Sequence, residues 1–172
     1  PQTSAPIMNP IKFLISLLLV LLPAVQASEV FVEAESFKSS GGWVELTGPS
    51  AREASGLAVL NGASGAKDGV ATTTVSIKDA GRYRIWTRFG SHPKWRGPFH
   101  LTALAGGRVL GDGLFDAEFE GKSARDSQTW SSFEVDLPEG EVTLRLSKHE
   151  NKNASGITRQ VDCLLLTMDT KL

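Results

Sequence analysis

EVFVEAESF, residues 29–37, has the alternation of a β-strand. Successive side chains of a strand point to opposite faces. Val30, Val32 and Ala34 therefore share one face, and Phe31, Glu33, Glu35 and Phe37 share the other. The apolar face calls for a second layer of structure to cover it. The other face sets two carboxylates roughly 7 Å apart between aromatic rings. No Lys or Arg stands within the stretch, and like charges held so close are costly unless something neutralises them.

Outward from this strand the chain keeps the same character. No long segment carries the apolar spacing of a helix, while short β-rich runs alternate with Gly, Pro, Asn and Asp. GGWVELTG (41–48), GLAVLNG (56–62) and GVATTTVSI (69–77) follow, the last rich in the Val and Thr that suit a pleated surface. RYRIWTRFG (82–90) sets Tyr83, Ile85, Thr87 and Phe89 against Arg84, Trp86 and Arg88. GPFHLTALAGGRVLG (97–111) reads as a hairpin around Gly106 and Gly107. WSSFEVDL, the turn PEG and EVTLRLSKH (130–149) read as another, with Phe133, Val135, Leu137, Val142, Leu144 and Leu146 inward. RQVDCLLLTMD (159–169) closes the series. Polar loops are expected over 115–129 and 91–98. Many short strands with regular turn signals indicate an all-β antiparallel sandwich.

Residues 1–27 stand apart. After an upstream extension, Met8 and Lys12 precede the apolar run FLISLLLVLLPAV and the small residues Ala27 and Ser28, the layout of a secretory signal peptide. The run is short for a membrane span. Residues 28–172 are then expected to form a single domain of a size able to bury a proper core. Without Lys12 the formal charge moves from −1 to −2, so there is no basic field for nucleic acid and no polybasic membrane patch. Cys163 is the single cysteine, so no intrachain disulfide forms; it reads as a small buried apolar residue. Export without disulfides suits a bacterial protein that is secreted, periplasmic or on the cell surface.

VFVEAESF followed by GGW, DAGRYRIWTRF, TWSSFEVDLPEGEVTLRL and RQVDCLLLT resembles the calcium-binding β-sandwich carbohydrate-binding modules of families six, thirty-five and thirty-six. Such modules are appended to secreted bacterial polysaccharide-degrading enzymes. The resemblance runs from Glu29 to Thr167. It implies a jelly-roll-like, galactose-binding-domain-like fold and a structural calcium on Glu33, Glu35 and Asp162. Calcium takes six to eight oxygens, carboxylates and carbonyls among them, and carbonyls near Gly41 to Val44 could add to the shell. The alternative is a set of carboxylates that are solvated or paired with Arg159 or Arg52.

The resemblance also implies a polysaccharide or oligosaccharide ligand in a loop site. Sugars are met by flat aromatic rings and a few hydrogen-bonding groups. Trp130 aligns with the Trp that such modules place there. Trp95, in the loop SHPKWRGP beside Lys94 and Arg96, could stack on a ring while Arg96 grips an acidic or sulfated sugar. Plain packing is the other reading of both rings. Where family six often has an Asn before the last-strand Asp, this chain has Arg159 and Gln160, and Gln160 could hydrogen-bond a sugar. Trp43 and Trp86 read as structural, the latter in a cation–π ladder with Arg84 and Arg88.

Signals of catalysis are weak. His92, His100 and His149 lack zinc-ligand spacing, no nucleophile elbow occurs, and the acidic FDAEFE (115–120) reads as a solvated loop. The expectation is a secreted, non-catalytic carbohydrate-binding module, with a structural or protein-interaction module of the bacterial envelope as the alternative. A larger enzyme or an envelope assembly is a possible partner.

Overall fold

The computed structural model describes residues 28–63, 69–91, 97–116, 127–149 and 159–169. Trp95, Arg96, Glu118 and Glu120 lie outside them, as does the signal-like segment. The described residues form eleven strands: β1 (Glu29–Glu33), β2 (Lys38–Ser39), β3 (Val44–Thr47), β4 (Ala58–Asn61), β5 (Val70–Ile77), β6 (Gly81–Ser91), β7 (Phe99–Ala105), β8 (Arg108–Phe115), β9 (Ser127–Leu137), β10 (Gly140–Lys148) and β11 (Gln160–Thr167). One sheet has six strands, in the order β3-β4-β11-β6-β9 with β1 also on β11. The other has five, in the order β2-β5-β10-β7-β8. Every pairing is antiparallel. The expected all-β sandwich is the observed fold.

Alternation decides which residues fill it. Tyr83, Ile85, Phe89, Val135, Leu137, Val161, Leu164 and Leu166 come from the six-stranded sheet. They meet Ala71, Val75, Ile77, Phe99, Leu101, Ala103, Phe115, Val142, Leu144 and Leu146 from the five-stranded one. Phe89 meets Phe99 and Phe115 edge to face, with ring centroids 5.3 and 5.7 Å apart. Trp43 is buried and structural: its indole N–H donates to the Gly69 carbonyl at 3.0 Å. A Cβ on Gly62 would stand 2.7 Å from its ring, so only glycine leaves room there.

Two local readings change. The inward residues of β9 and β10 point inward as expected, but the strands are not a hairpin: β9 pairs with β6, and β10 with β5 and β7. The PEG turn carries the chain from one sheet to the other, so the two apolar rows face each other across the core. The first strand also ends sooner, at Glu33, and Ala34–Ser36 turn through a 3-10 helix. Glu35 therefore reaches its neighbours from a turn and not from a strand face.

Candidate functional site

The outer face of the six-stranded sheet collects polar and aromatic side chains in rows set by register. One row runs Glu33 (β1), Cys163 (β11), Arg88 (β6), Trp130 (β9). The next runs Phe31, Leu165, Trp86, Ser132. Beyond Arg88 and Trp130, Gln128, Gly90, Gln160 and Asn61 line up across β9, β6, β11 and β4.

A bulge builds the acidic end of this face. The register of β11 on β6 shifts between Val161 and Cys163, so Asp162 is the extra residue. Bulges re-aim side chains. Val161, Leu164 and Leu166 stay in the core, while Asp162, at 0% exposure, turns toward Arg88 and the 55–57 turn. Arg88 Nη1 donates to Asp162 Oδ2 at 2.8 Å, and the Ser55 N–H donates to Oδ1 at 2.8 Å. The Ser55 hydroxyl donates to Glu33 Oε1 at 2.7 Å. Gly56 sits at φ 62°, a left-handed conformation that favours glycine, and Glu35 Oε1 lies 2.8 Å from where its Cβ would stand. Leu57 follows at φ 58°, a left-handed conformation that costs a branched residue of order 1 kcal/mol. The Gly41 carbonyl, expected nearby, instead accepts from Lys148 Nζ at 2.8 Å.

The electrostatics are unbalanced. Three carboxylates against one guanidinium leave −2 when all are ionised. Burial raises the Glu35 and Asp162 carboxyls above the usual range; Glu33 adds to both, while Arg88 and Ser55 partly offset the rise at Asp162. Glu33 Oε2 and Glu35 Oε2 are buried with no hydrogen-bond partner among the described residues. Unsatisfied buried carboxylate oxygens are costly. Cys163 adds a sulfur, and ligand atoms of Glu33, Asp162 and Cys163 lie within 4.8 Å of one another. Burial and the neighbouring acids push its thiol up to about 12. The carboxylates are hard oxygen donors around a deficit of two positive charges, a set that suits calcium.

Arg159, the guanidinium weighed above as a substitute for the ion, is not in this cluster. It donates to the carbonyls of Pro98, Gly62 and His149. Arg88 takes the position beside Asp162, and its pairing depends on the bulge, which leaves no mark in sequence. Trp130 lies on β9, three residues after the strand begins, with 46% of its surface exposed. Gln160 is half-buried at the start of β11, on the same outer face. Trp86 is half-buried with the Arg84 guanidinium 5.7 Å from its ring centre, so one cation of the expected ladder is in place while Arg88 turns to Asp162.

Neither a protein-family model nor a curated protein sequence matches the chain. Solved structures do. The C-terminal CBM6 of LamC, a marine laminarinase from Zobellia galactanivorans, matches with a TM-score of 0.58 and 17% identity, over 81% of this chain and 99% of that one. A native family 35 carbohydrate-binding module from Clostridium thermocellum matches at 0.59 and 18%, over 81% and 98%. The CBM36-1 domain of a multidomain xylanase from the hindgut metagenome of Trinervitermes trinervoides matches at 0.54 and 15%, over 81% and 96%. Longer enzyme chains match over only 23% to 29% of their length. At these identities the likeness establishes the fold alone, an all-β sandwich like that of the matched CBM6, family 35 and CBM36-1 domains.

Proposed function

We propose that this chain is a secreted, non-catalytic carbohydrate-binding module that holds a polysaccharide or oligosaccharide against Trp130 and keeps a structural calcium on Glu33, Glu35 and Asp162. The observation that carries the sugar reading is Trp130 itself. It is exposed on a polar sheet face opposite Arg88, with Gln128 next on its own strand and Gln160 further along the Gln128 row. Gln128 Oε1 is buried and lacks a partner among the described residues. A ring for the apolar face of a sugar and amides for its hydroxyls are the needed chemistry. Trp95 and Arg96 remain proposed contributors.

Calcium, when bound, would supply the charge that the carboxylates lack and tie the end of β1 to β11 and the 55–57 turn. It is given no part in a reaction.

Only a small apolar area of sugar is covered by one ring, so affinity is expected in the micromolar to millimolar range, about 4–8 kcal/mol. A glycan array with and without calcium is the test. Trp130→Ala is expected to weaken retention at least 10-fold, while the unfolding free energy falls by no more than about 1 kcal/mol. A large stability loss would mark a packing ring. If no glycan is retained, a second reading moves forward: a protein-interaction module of the bacterial envelope that uses the adjoining apolar row of Phe31, 55% exposed, with Leu165 and Trp86.

Maturation belongs to the same proposal. N-terminal sequencing of the exported product is expected to begin near Ser28; a product that still carries Met8 or Lys12 would mean a retained anchor in place of a cleaved leader.

A further inference from the structure

The outer face of the five-stranded sheet carries a second polar cluster, unrelated to the sugar and calcium readings. Thr102 (β7) donates its hydroxyl to Asp112 Oδ1 (β8) at 2.6 Å. Asp112 Oδ2 stands 2.6 Å from His100 Nδ1. His100 Nε2 stands 2.8 Å from Nδ1 of His149, which follows β10. An ionised carboxylate only accepts, so Nδ1 of His100 carries a proton, and in the neutral ring Nε2 turns a lone pair toward His149. The rings are tilted by 50° with centroids 5.0 Å apart, and both are partly open to solvent.

We propose that His100 and His149 form a binding site for a divalent transition ion of the Zn2+ class, with His100 Nε2 and His149 Nδ1 as protein ligands and water in the remaining positions. The arrangement is the one that metal-binding histidines use: the non-ligating nitrogen is held by a carboxylate, which fixes tautomer and ring direction. Here that carboxylate is itself held by Thr102. Two nitrogens at about 2.0–2.1 Å from zinc in tetrahedral geometry stand roughly 3.3 Å apart. The present 2.8 Å needs to open by about half an ångström, and each ring must turn by roughly 35° so that the two lone pairs meet at the ion. The change at His149 is one of tautomer, its proton moving from Nδ1 to Nε2. The backbone of His149 is already fixed, its N–H on the Pro98 carbonyl at 3.1 Å and its carbonyl on Arg159 at 3.1 Å. An ion there would staple the end of β10 to β7.

The test uses the tag-free chain saturated with calcium, so that the acidic cluster does not take the probe. Titration with zinc chloride by calorimetry, and with Co2+ by visible absorption, is expected to show one ion per chain at micromolar concentration and a raised melting temperature. His149→Ala, which leaves the backbone bonds in place, is expected to weaken zinc at least 30-fold. Asp112→Asn is expected to weaken it about 10–100-fold while the fold persists. No zinc uptake below about 100 μM, or uptake unchanged in His149→Ala, overturns the proposal.

Discussion

Withdrawing calcium with a chelator is expected to lower the melting temperature by roughly 5–10 °C when the ion had been present at 100 times its dissociation constant, a linkage of about 2.7 kcal/mol. One substitution should then change sign with the ion. Glu35→Gln keeps the shape of the side chain and removes its charge. Without calcium, burial raises the Glu35 carboxyl, and Glu33 and Asp162 add to the rise. A carboxyl whose folded pKa lies above its unfolded value contributes stability that is full below the unfolded pKa and is lost as pH rises through the folded one. At pH 7 the metal-free native state therefore carries Glu35 at a cost. Glu35→Gln should melt higher than the unsubstituted protein there, and the gap should close as pH falls to about 4. With calcium the ionised form is wanted. Glu35→Gln should then melt lower and bind the ion at least 10-fold more weakly. Asp162 is raised in the same direction, so the metal-free protein as a whole should gain from this cluster on mild acidification. Thermal melts across pH 4–8, with calcium and with chelator, read all of this. Identical curves in the two conditions, with Glu35→Gln shifted the same way in both, would sink the ion.

The fold was legible because most strands declare themselves by alternation. In β6 the inward Tyr83, Ile85 and Phe89 and the outward Arg84, Trp86 and Arg88 are separable by eye, and the structure keeps them so. Sheet membership was less legible. A Pro-Glu-Gly turn between two apolar runs looks the same whether the runs pair or cross to opposite sheets, and β9 and β10 cross. At the acidic cluster, Glu33 and Glu35 stand out in the alternation and the family resemblance adds Asp162, but neither route names Arg88 or Ser55. Their place depends on a one-residue bulge at Asp162, and nothing in RQVDCLLLT marks which residue is the extra one. Trp130 is legible as a Trp that follows a polar loop; register, which sequence does not encode locally, sets it opposite Arg88. The histidines went unread for a related reason. His100 and His149 are 49 positions apart, and only the β7–β10 pairing brings their rings together.

The other large effect is expected at Arg159, which is 2% exposed and among the largest fully buried side chains. Its fork donates Nε to the Pro98 carbonyl at 2.9 Å, Nη1 to the Gly62 carbonyl at 2.8 Å and Nη2 to the His149 carbonyl at 3.1 Å. Its own carbonyl accepts from the Gly62 N–H at 2.8 Å. Gly62 follows β4 in the six-stranded sheet, while Pro98 and His149 flank β7 and β10 in the five-stranded one. One guanidinium thus ties the two sheets at the end where their loops emerge. Burial lowers its pKa from the usual value, but a guanidinium stays charged, so the three carbonyls must carry that charge. Arg159→Met keeps the length and the apolar stem and leaves three carbonyls facing a thioether. At about 1–3 kcal/mol for each acceptor left unsatisfied, the loss should reach about 4 kcal/mol or more, well beyond an average substitution. Arg159→Lys, a point donor without the fork, should recover only part of it. Urea denaturation measures both. Because the fork is satisfied by carbonyls and does not face Glu33 or Glu35, Arg159→Lys should melt lower yet stay as sensitive to chelator as the unsubstituted protein. If instead stability holds and calcium affinity rises, then Arg159 competes with the ion, and Arg88 does not suffice as the cation beside Asp162.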